Sequence, residues 1–344
     1  MPRRPQRAAT ASWARRAEAL ARRFPLGRLH PAALAAAGTG RWAVGFSGGP
    51  DSLALLLLLW AHWPRRRRSL LAVHFDHRLR GAASRQDARF CAAVCASLGV
   101  RLRSGRWDAK PGGPVSEAAA RDARLAFFAS ACRGARIETL WLGHQQDDIA
   151  ETLLMRLARG SGAAGLSAPR PATEADPVRV RPLLTVPKRE LVAALRALKI
   201  PFRQDRSNAR GVYLRNRIRA RVLPEWQAAS ESRDVLGGAA LSRELLQEDD
   251  EALEQFTDAR ASLSPAGRLN LSRLAGAPRA VWRRALHRWV LAQNARQHSF
   301  RLSRAGFTQL LQAAEAGNPA RISMGASTFA RIANGVLTLV KHSA

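Results

Sequence analysis

Four short, continuous apolar runs separated by helical patterns constrain the fold more than anything else in the chain. The runs lie at 42–46 (WAVGF), 70–75 (LLAVHF), 100–103 and 139–143 (TLWLG), with helical patterns at 52–60, 84–98, 116–132 and 147–159. Strands that are apolar throughout, rather than alternating, belong in a parallel sheet covered on both faces, and a parallel sheet needs helical crossovers. The expectation is a doubly wound, mostly parallel α/β sheet, whose ligands bind beyond the carboxyl ends of the strands. The greasiest stretch, 53–60 (LALLLLLW), is far short of the roughly 20 residues that span a bilayer, so it is expected to be a buried helix.

After Arg159 the texture changes. A Gly/Ala/Pro-rich loop (RGSGAAGLSAPRPATEADP) leads to a short extended piece (VRVRPLL) and a helix over 187–199. From about Leu214 to Ala316 the pattern is mostly helical, ending in a short β-like segment (GVLTLV). This suggests a helical extension over 1–40, an α/β domain over 41–220 and an all-α domain over 221–344 with a β-like end.

Charge narrows the partners. The chain has 56 Lys+Arg against 26 Asp+Glu in 344 residues, a formal net charge of +30. Only Lys110, Lys188, Lys199 and Lys341 are lysines, so part of the excess reflects arginine-rich coding. The scarcity of acids is not explained that way and points to a polyanion, either nucleic acid or an anionic membrane surface. Three cysteines make no disulfide scaffold, which implies a reducing compartment. The Arg/Ala-rich N-terminus resembles an organelle transit segment in composition, but the rest of the chain is equally Arg-rich. A cytoplasmic chain opening on an amphipathic helix is therefore expected.

The most specific motif is SGGPDS: Ser47, Gly48, Gly49, Pro50, Asp51 and Ser52, directly after a strand and opening a helix. Adjacent glycines let backbone N–H groups approach an anion, and a helix N-terminus adds positive potential. The serines add hydroxyls, and Asp51 is placed to hold magnesium against phosphates. With no Lys and the wrong spacing, it is not a Walker A loop.

SGGPDS resembles the SGGxDS loop of the PP-loop ATP pyrophosphatases, with their adenine nucleotide alpha hydrolase-like fold. Further segments resemble the tRNA(Ile)-lysidine synthetase family within that superfamily. They are His74 to Arg80 (HxDHxLR), with Ser84 and Asp87, then Glu117, Arg121 and Arg124 (E…R..R). The stretch from His144 to Thr152 fits HxxDDxxET, and RGSG..GL and RPLL follow at 159–166 and 181–184. Asp205, Ser207, Asn208, Arg215, Asn216, Arg219 and Pro224 complete the series. Arg78 stands where the family usually has Gly, Gln145 for a second His, Asp87 for Glu and Leu125 for an aromatic. The chain looks like compact members that lack a further C-terminal domain.

The resemblance implies ATP-dependent ligation of L-lysine to C2 of the wobble cytidine of tRNA(Ile) with a CAU anticodon, through an adenylated intermediate. ATP and Mg2+ are the implied cofactors; tRNA and L-lysine are the implied partners. Residues 47–52 would hold the pyrophosphate, with the ion on Asp51. Asp148 and Glu151, at i, i+3 on the helix after His144, make a candidate catalytic trio with it, Asp148 as general base or cation anchor. In this reading the same helix buries Ile149, Ala150, Leu153, Leu154 and Leu157, and Asp147 merely suits the helix dipole. Asp76 and His77 end a strand and are candidate nucleotide contacts; Arg121 and Arg124 suit phosphate or a carboxylate. Cys91 and Cys95 read as small buried hydrophobes, the other reading being a metal pair. The absence of CxxC pairs argues against sulfur transfer.

Two basic zones, 203–221 and 259–344, suggest an RNA surface that includes Arg283, Arg284, His287 and Arg288 opposite an apolar stripe (Val281, Trp282, Ala285, Leu286, Trp289). The acidic segment 244–258 is expected to be an exposed helix that limits where RNA lies. These readings set a membrane partner aside. Two alternatives stay open: another PP-loop enzyme acting on RNA, or a non-catalytic basic RNA-binding protein.

Overall fold

The computed structural model describes residues 4–77, 82–107, 117–203, 213–297, 302–325 and 328–341. Arg78, Asp205, Ser207 and Asn208, and the side chain of Glu117, lie outside the described set. The chain divides into two compact units, 1–246 and 247–344.

The first unit opens with α1 (Arg4–Arg23) and α2 (Pro31–Ala35), then alternates strand and helix as the apolar runs require. The order is β1 (Trp42–Gly45), α3 (Pro50–His62), β2 (Leu71–Asp76), α4 (Ala82–Leu98), β3 (Arg101–Arg106), α5 (Glu117–Gly134), β4 (Thr139–Trp141) and α6 (Gln146–Leu157). There follow α7 (Ala163–Leu166), β5 (Ala172–Thr173), β6 (Val178–Val180) and α8 (Lys188–Ala197). Then come α9 (Leu214–Arg217), a π-helical turn (Ile218–Val222), α10 (Leu223–Ala229) and α11 (Val235–Asp258), in which the unit boundary falls.

The sheet order is β3-β2-β1-β4-β6-β5, parallel except for the edge strand β5. Strand order reverses between β1 and β4, so the crevice between their carboxyl ends is where such a sheet binds ligands. The run 53–60 is buried on every side of α3, as an all-round apolar helix must be. Part of its cover is α1, whose Ala17, Leu20 and Phe24 belong to the same core. The N-terminal segment is thus a layer of the first unit, not an extension from it. The compact division also comes later than residue 220. Ile218, Leu223, Leu236 and Ala239 form one cluster with Ala150 of α6, which ties α10 and the start of α11 to the sheet domain.

The second unit holds α12 (Arg279–Gln297), α13 (Arg304–Ala316) and a four-stranded antiparallel sheet. Its strands are β7 (Leu269–Asn270), β8 (Ala320–Gly325), β9 (Thr328–Ala333) and β10 (Val336–Lys341), ordered β7-β10-β9-β8. The β-like end is β10; sequence reading did not anticipate β8 and β9 beside it, so the unit is not purely helical. The apolar stripe of α12 is buried as expected, with Trp289 Nε1 donating to Gly267 O at 2.9 Å. Arg284 and Arg288, by contrast, do not offer their charge to solvent. They pair with Asp250, Glu254 and Asp258, so one face of the acidic helix is held by α12, while Glu248, Asp249 and Glu251 stay exposed as expected.

Candidate active site

Two loops meet at the switch point. The first leaves β1 and enters α3, with Pro50 at the first helical position, where its missing N–H costs nothing. Gly48 has φ +83°, and a Cβ there would lie 3.1 Å from Cys91 Sγ and 3.2 Å from Phe90 Cδ1, so this position suits glycine alone. Ser47 and Ser52 close the turn: Ser47 N donates to Ser52 Oγ at 3.1 Å, the two hydroxyls share a 3.0 Å hydrogen bond, and Ser52 Oγ donates to Gly49 O at 3.2 Å. Arg203 braces the loop from outside, its N–H donating to Gly48 O at 2.9 Å and its guanidinium holding Asp87 at 2.5 Å.

Asp51, in the first turn of α3, lies 3.4 Å from Lys188 Nζ, while its Oδ1 is buried and accepts no hydrogen bond. Burial pushes its carboxyl up to about 6, Lys188 offsetting part of that push. An orphaned carboxylate oxygen beside an anion-binding loop fits a hard divalent cation. Among the described residues no group of three His, Cys, Asp or Glu could cage a metal. An ion on Asp51 would therefore draw its remaining oxygens from a bound phosphate chain, which is how magnesium is usually held.

The second loop leaves β4. A Cβ on Gly143 would sit 3.0 Å from the Asp51 carbonyl oxygen and 3.1 Å from Ser52 N, so the strand end presses on the first turn of α3. Gln145 and Asp148 form a capping box: Gln145 Oε1 accepts from Asp147 N at 2.6 Å, and Asp148 Oδ2 accepts from Gln145 N at 3.0 Å. Asp147 does more than favour the dipole, since its Oδ2 accepts from Lys188 N at 2.9 Å and joins α6 to α8.

Beyond the cap lies a buried ionic network. Arg215 donates to Asp148 at 2.5 Å and to Glu151 at 2.7 Å; Arg219 donates to Glu151 at 2.5 and 2.8 Å. Glu151 is 0% exposed. Burial opposes ionisation of Asp148, but Arg215, His144, the Gln145 N–H and Arg219 outweigh it and hold the carboxyl below its usual range. His144 is the reverse case. Burial, with Arg181, Arg215 and Arg121 nearby, depresses its imidazole to about 3 although Asp148 pulls the other way, and its Nδ1 has no partner.

A cleft of about 790 Å³ runs along these loops and brings together Ser47, Gly49, Pro50, Asp51, Ser52, Asp76, His77, Arg124 and His144. Lys188, Arg203 and Arg219 also line it, none of which sequence reasoning had assigned to the site. Gly48 shapes the loop from behind. Asp148 and Glu151 are spent on arginines and do not line the cleft, and Arg121 does not line it either. Leu157, expected in the core, is 54% exposed, while Ile149 and Ala150 are buried. Arg215 and Arg219 carried a readable signal: they match at i, i+4 the spacing of two carboxylates at i, i+3, though nothing local says the two helices meet. The three cysteines are buried and unpaired, their thiols pushed up by burial and so held protonated.

A sheet of this order, with a glycine-bearing anion loop at its switch point, defines a nucleotide-binding domain of the PP-loop class. The PP-loop domain family model matches residues 26–226. A tRNA(Ile)-lysidine synthase of Gloeobacter violaceus is 39% identical over 283 residues, covering 79% of this chain and 83% of its own length. Those of Bacillus licheniformis (37% over 254 residues) and Bradyrhizobium diazoefficiens (44% over 217) cover 71% and 62% of this chain. The chain spans only 53% and 58% of these two relatives' lengths. Among solved structures, the U34-tRNA thiolase NcsA from Methanococcus maripaludis superposes with a TM-score of 0.51 at 17% identity, over 70% of this chain and 80% of that one. That likeness concerns the fold alone. The chain belongs to the PP-loop domain family and, within it, to the tRNA(Ile)-lysidine synthase family. No helix among the described residues is long and apolar enough to cross a membrane.

Proposed function

We propose that the chain ligates L-lysine to C2 of the wobble cytidine of a tRNA(Ile) with a CAU anticodon, at the expense of ATP. The single observation that carries this reading is the juxtaposition of the phosphate loop and Asp51 with His144 in one cleft. In the first step the cytosine O2 attacks the α-phosphorus of ATP and pyrophosphate leaves. In the second the lysine side-chain amine attacks C2, AMP leaves, and the amine gives up a proton. The acceptor base must be unstacked from its loop to reach the cleft.

Residues 47–52 hold the pyrophosphate end, and Asp51 is the residue for Mg2+, which supplies charge neutralisation on the phosphates when bound. Asp76, His77 and Arg124 line the same cleft as candidate nucleotide contacts. In this reading the three residues of the expected catalytic trio take different roles. Asp148 is held ionised by Arg215 and engaged on both oxygens, which suits a positioning residue better than a base. Glu151 likewise anchors Arg215 and Arg219, and Arg219 reaches the cleft. His144, neutral at physiological pH with an unpartnered Nδ1, lines the cleft as a hydrogen-bond partner for a bound reactant; held near 3 by burial, its imidazole is too weak a base to keep the amine's proton, which passes to water.

The deciding assay is AMP formation from ATP, measured with and without L-lysine and with CAU-anticodon or unrelated tRNA transcripts. AMP release together with lysine incorporation that needs both lysine and the CAU transcript is expected. AMP formed equally well without tRNA, or lysine never incorporated, sinks the assignment. Asp148→Asn is expected to lose product while retaining ATP binding; near wild-type turnover would remove Asp148 from the machinery.

A further inference from the structure

The loop that reads as a phosphate cradle carries no cation of its own. In a Walker A loop a lysine at the end of the loop reaches the β- and γ-phosphates. SGGPDS offers backbone N–H groups, two hydroxyls and the carboxylate of Asp51 instead. A phosphate chain seated there meets that negative charge unless a cation stands beside it. Among the described residues, the cation within ion-pair distance of Asp51 is Lys188, its Nζ 3.4 Å from Oδ2.

The backbone delivers Lys188 to this place. Gln146 N donates to Val186 O at 3.1 Å and Lys188 N donates to Asp147 Oδ2 at 2.9 Å, so the start of α8 is tied twice to the start of α6. Leu191 and Leu195 anchor α8 in the core, and Lys188, Val192 and Arg196, at i, i+4 and i+8, form one face along the cleft. The main chain of Lys188 is thus fixed, but its side chain is not. It is 31% exposed, and its 3.4 Å contact is loose beside the 2.5–2.8 Å bonds of Arg215 and Arg219. Lys188 is also the first residue of α8, where the helix dipole disfavours a cation. The other basic groups nearby are engaged or distant. Arg203 holds Asp87 and Arg219 holds Glu151, while Arg196 stands more than two turns further along α8, about 12 Å by the helix rise. A lysine held loosely at the unfavourable end of a helix, facing a carboxylate across an anion loop, is poised for an anion that arrives later.

We propose that Lys188 is the cation for the leaving pyrophosphate: its Nζ turns from Asp51 to an oxygen of the β- or γ-phosphate of bound ATP. The proposal rests on reading the cleft as the ATP site. As the bond from cytosine O2 to the α-phosphorus forms, the bond from that phosphorus to the bridging oxygen breaks. Its electron pair stays on pyrophosphate, where the ammonium donates a charge-assisted hydrogen bond to the growing charge. Lys188 stays protonated throughout, so this step moves no proton.

The test is titration calorimetry of ATP, inorganic pyrophosphate and AMP on the full chain in one Mg2+ buffer, with thermal unfolding to confirm that each variant folds. Lys188→Gln should weaken ATP and pyrophosphate about tenfold to a hundredfold, the worth of one charge-assisted hydrogen bond, and leave AMP unchanged. Asp51→Asn/Lys188→Gln should in turn bind pyrophosphate more weakly than Asp51→Asn alone. Equal losses for AMP and pyrophosphate would mean that Lys188 only shapes the cleft, and unchanged pyrophosphate affinity would remove it from the site; either overturns the proposal. So does a loss that vanishes in the Asp51→Asn background, because Lys188 then acts through Asp51 and not on phosphate. Wild type that binds neither ATP nor pyrophosphate overturns this proposal and the proposed function together. A selective pyrophosphate loss in an enzyme that never incorporates lysine leaves this proposal standing and refutes the ligase reading alone.

Discussion

Replacing Glu151 with Gln tests whether the buried network holds the site together. The substitution keeps the volume and removes one charge from a position that is 0% exposed and accepts three guanidinium hydrogen bonds, at 2.7, 2.5 and 2.8 Å. In its best orientation the Gln carbonyl replaces the oxygen that receives two of them, leaving its NH2 facing Arg219 Nε, donor against donor. At about 1.5–3 kcal/mol per charge-assisted bond, one bond lost and one contact made repulsive comes to about 3–5 kcal/mol. That agrees with the usual cost of removing one partner from a buried ion pair. For a unit of this size about 1 kcal/mol shifts Tm by roughly 2–4 °C, so a fall of about 10 °C is expected. Thermal unfolding is the assay, read on the transition that rises with added ATP and Mg2+, because two units need not melt as one. Coupling between Glu151→Gln and Arg219→Gln in a double-mutant cycle should exceed about 1.5 kcal/mol. A Tm fall under about 2 °C, or additive single effects, would refute the view that Glu151 organises Arg215 and Arg219.

Three further outcomes follow from the geometry. Gly143→Ala sets a methyl against the Asp51 carbonyl and Ser52 N, so it should weaken ATP binding at least tenfold at a stability cost of about 1–3 kcal/mol, measured by titration calorimetry and melting. Asp51→Asn removes a carboxylate whose folded value is raised to about 6, a contribution to stability present below pH 3.8 and lost as pH rises through 6. At pH 7 the variant should be at least as stable as wild type, yet its ATP affinity should no longer respond to Mg2+; a persisting Mg2+ response places the ion elsewhere. His144, depressed from 6.5 to about 3, contributes stability present above pH 6.5 and lost as pH falls toward 3. Between pH 7.5 and 5.5 wild type should lose about 1.4 kcal/mol more than His144→Gln, and equal losses would show that His144 is not buried as a neutral ring.

The sheet was legible because its evidence is local: each strand is an apolar run and each crossover a helical period. The phosphate loop was legible for the same reason, since a glycine at positive φ and a helix start are both written within six residues. What sequence reading missed depends on residues meeting from afar. Glu151 and Arg215 are 64 positions apart, and only the packing of α6 against Ile218 and Leu223 turns two charge patterns into one network. Asp148 was read as a base because a carboxylate at a crevice usually offers itself to a ligand; its arginine partner reverses that inference. Lys188 is an ordinary helix-start lysine until Asp147 fixes its backbone and Asp51 meets its side chain. Likewise the arginines of α12 looked free because their acids lie one helix away.

Those same acids give the net charge a meaning that counting does not. A surplus of +30 spread evenly would make every face attractive to a polyanion and none specific. The fold instead cancels arginine where it builds structure, between α11 and α12 and behind the capping box of α6. Cancellation there lowers the background attraction of those faces for a polyanion. Helix α6 carries His144's loop at one end and Arg156, bonded to the Gly165 carbonyl, at the other. A shift of α6 that disturbed Asp148 and Arg215 would move both ends together. The phosphate-loop cleft and the ionic network are thus mechanically linked through one short helix, and a change that loosens the network should weaken nucleotide binding.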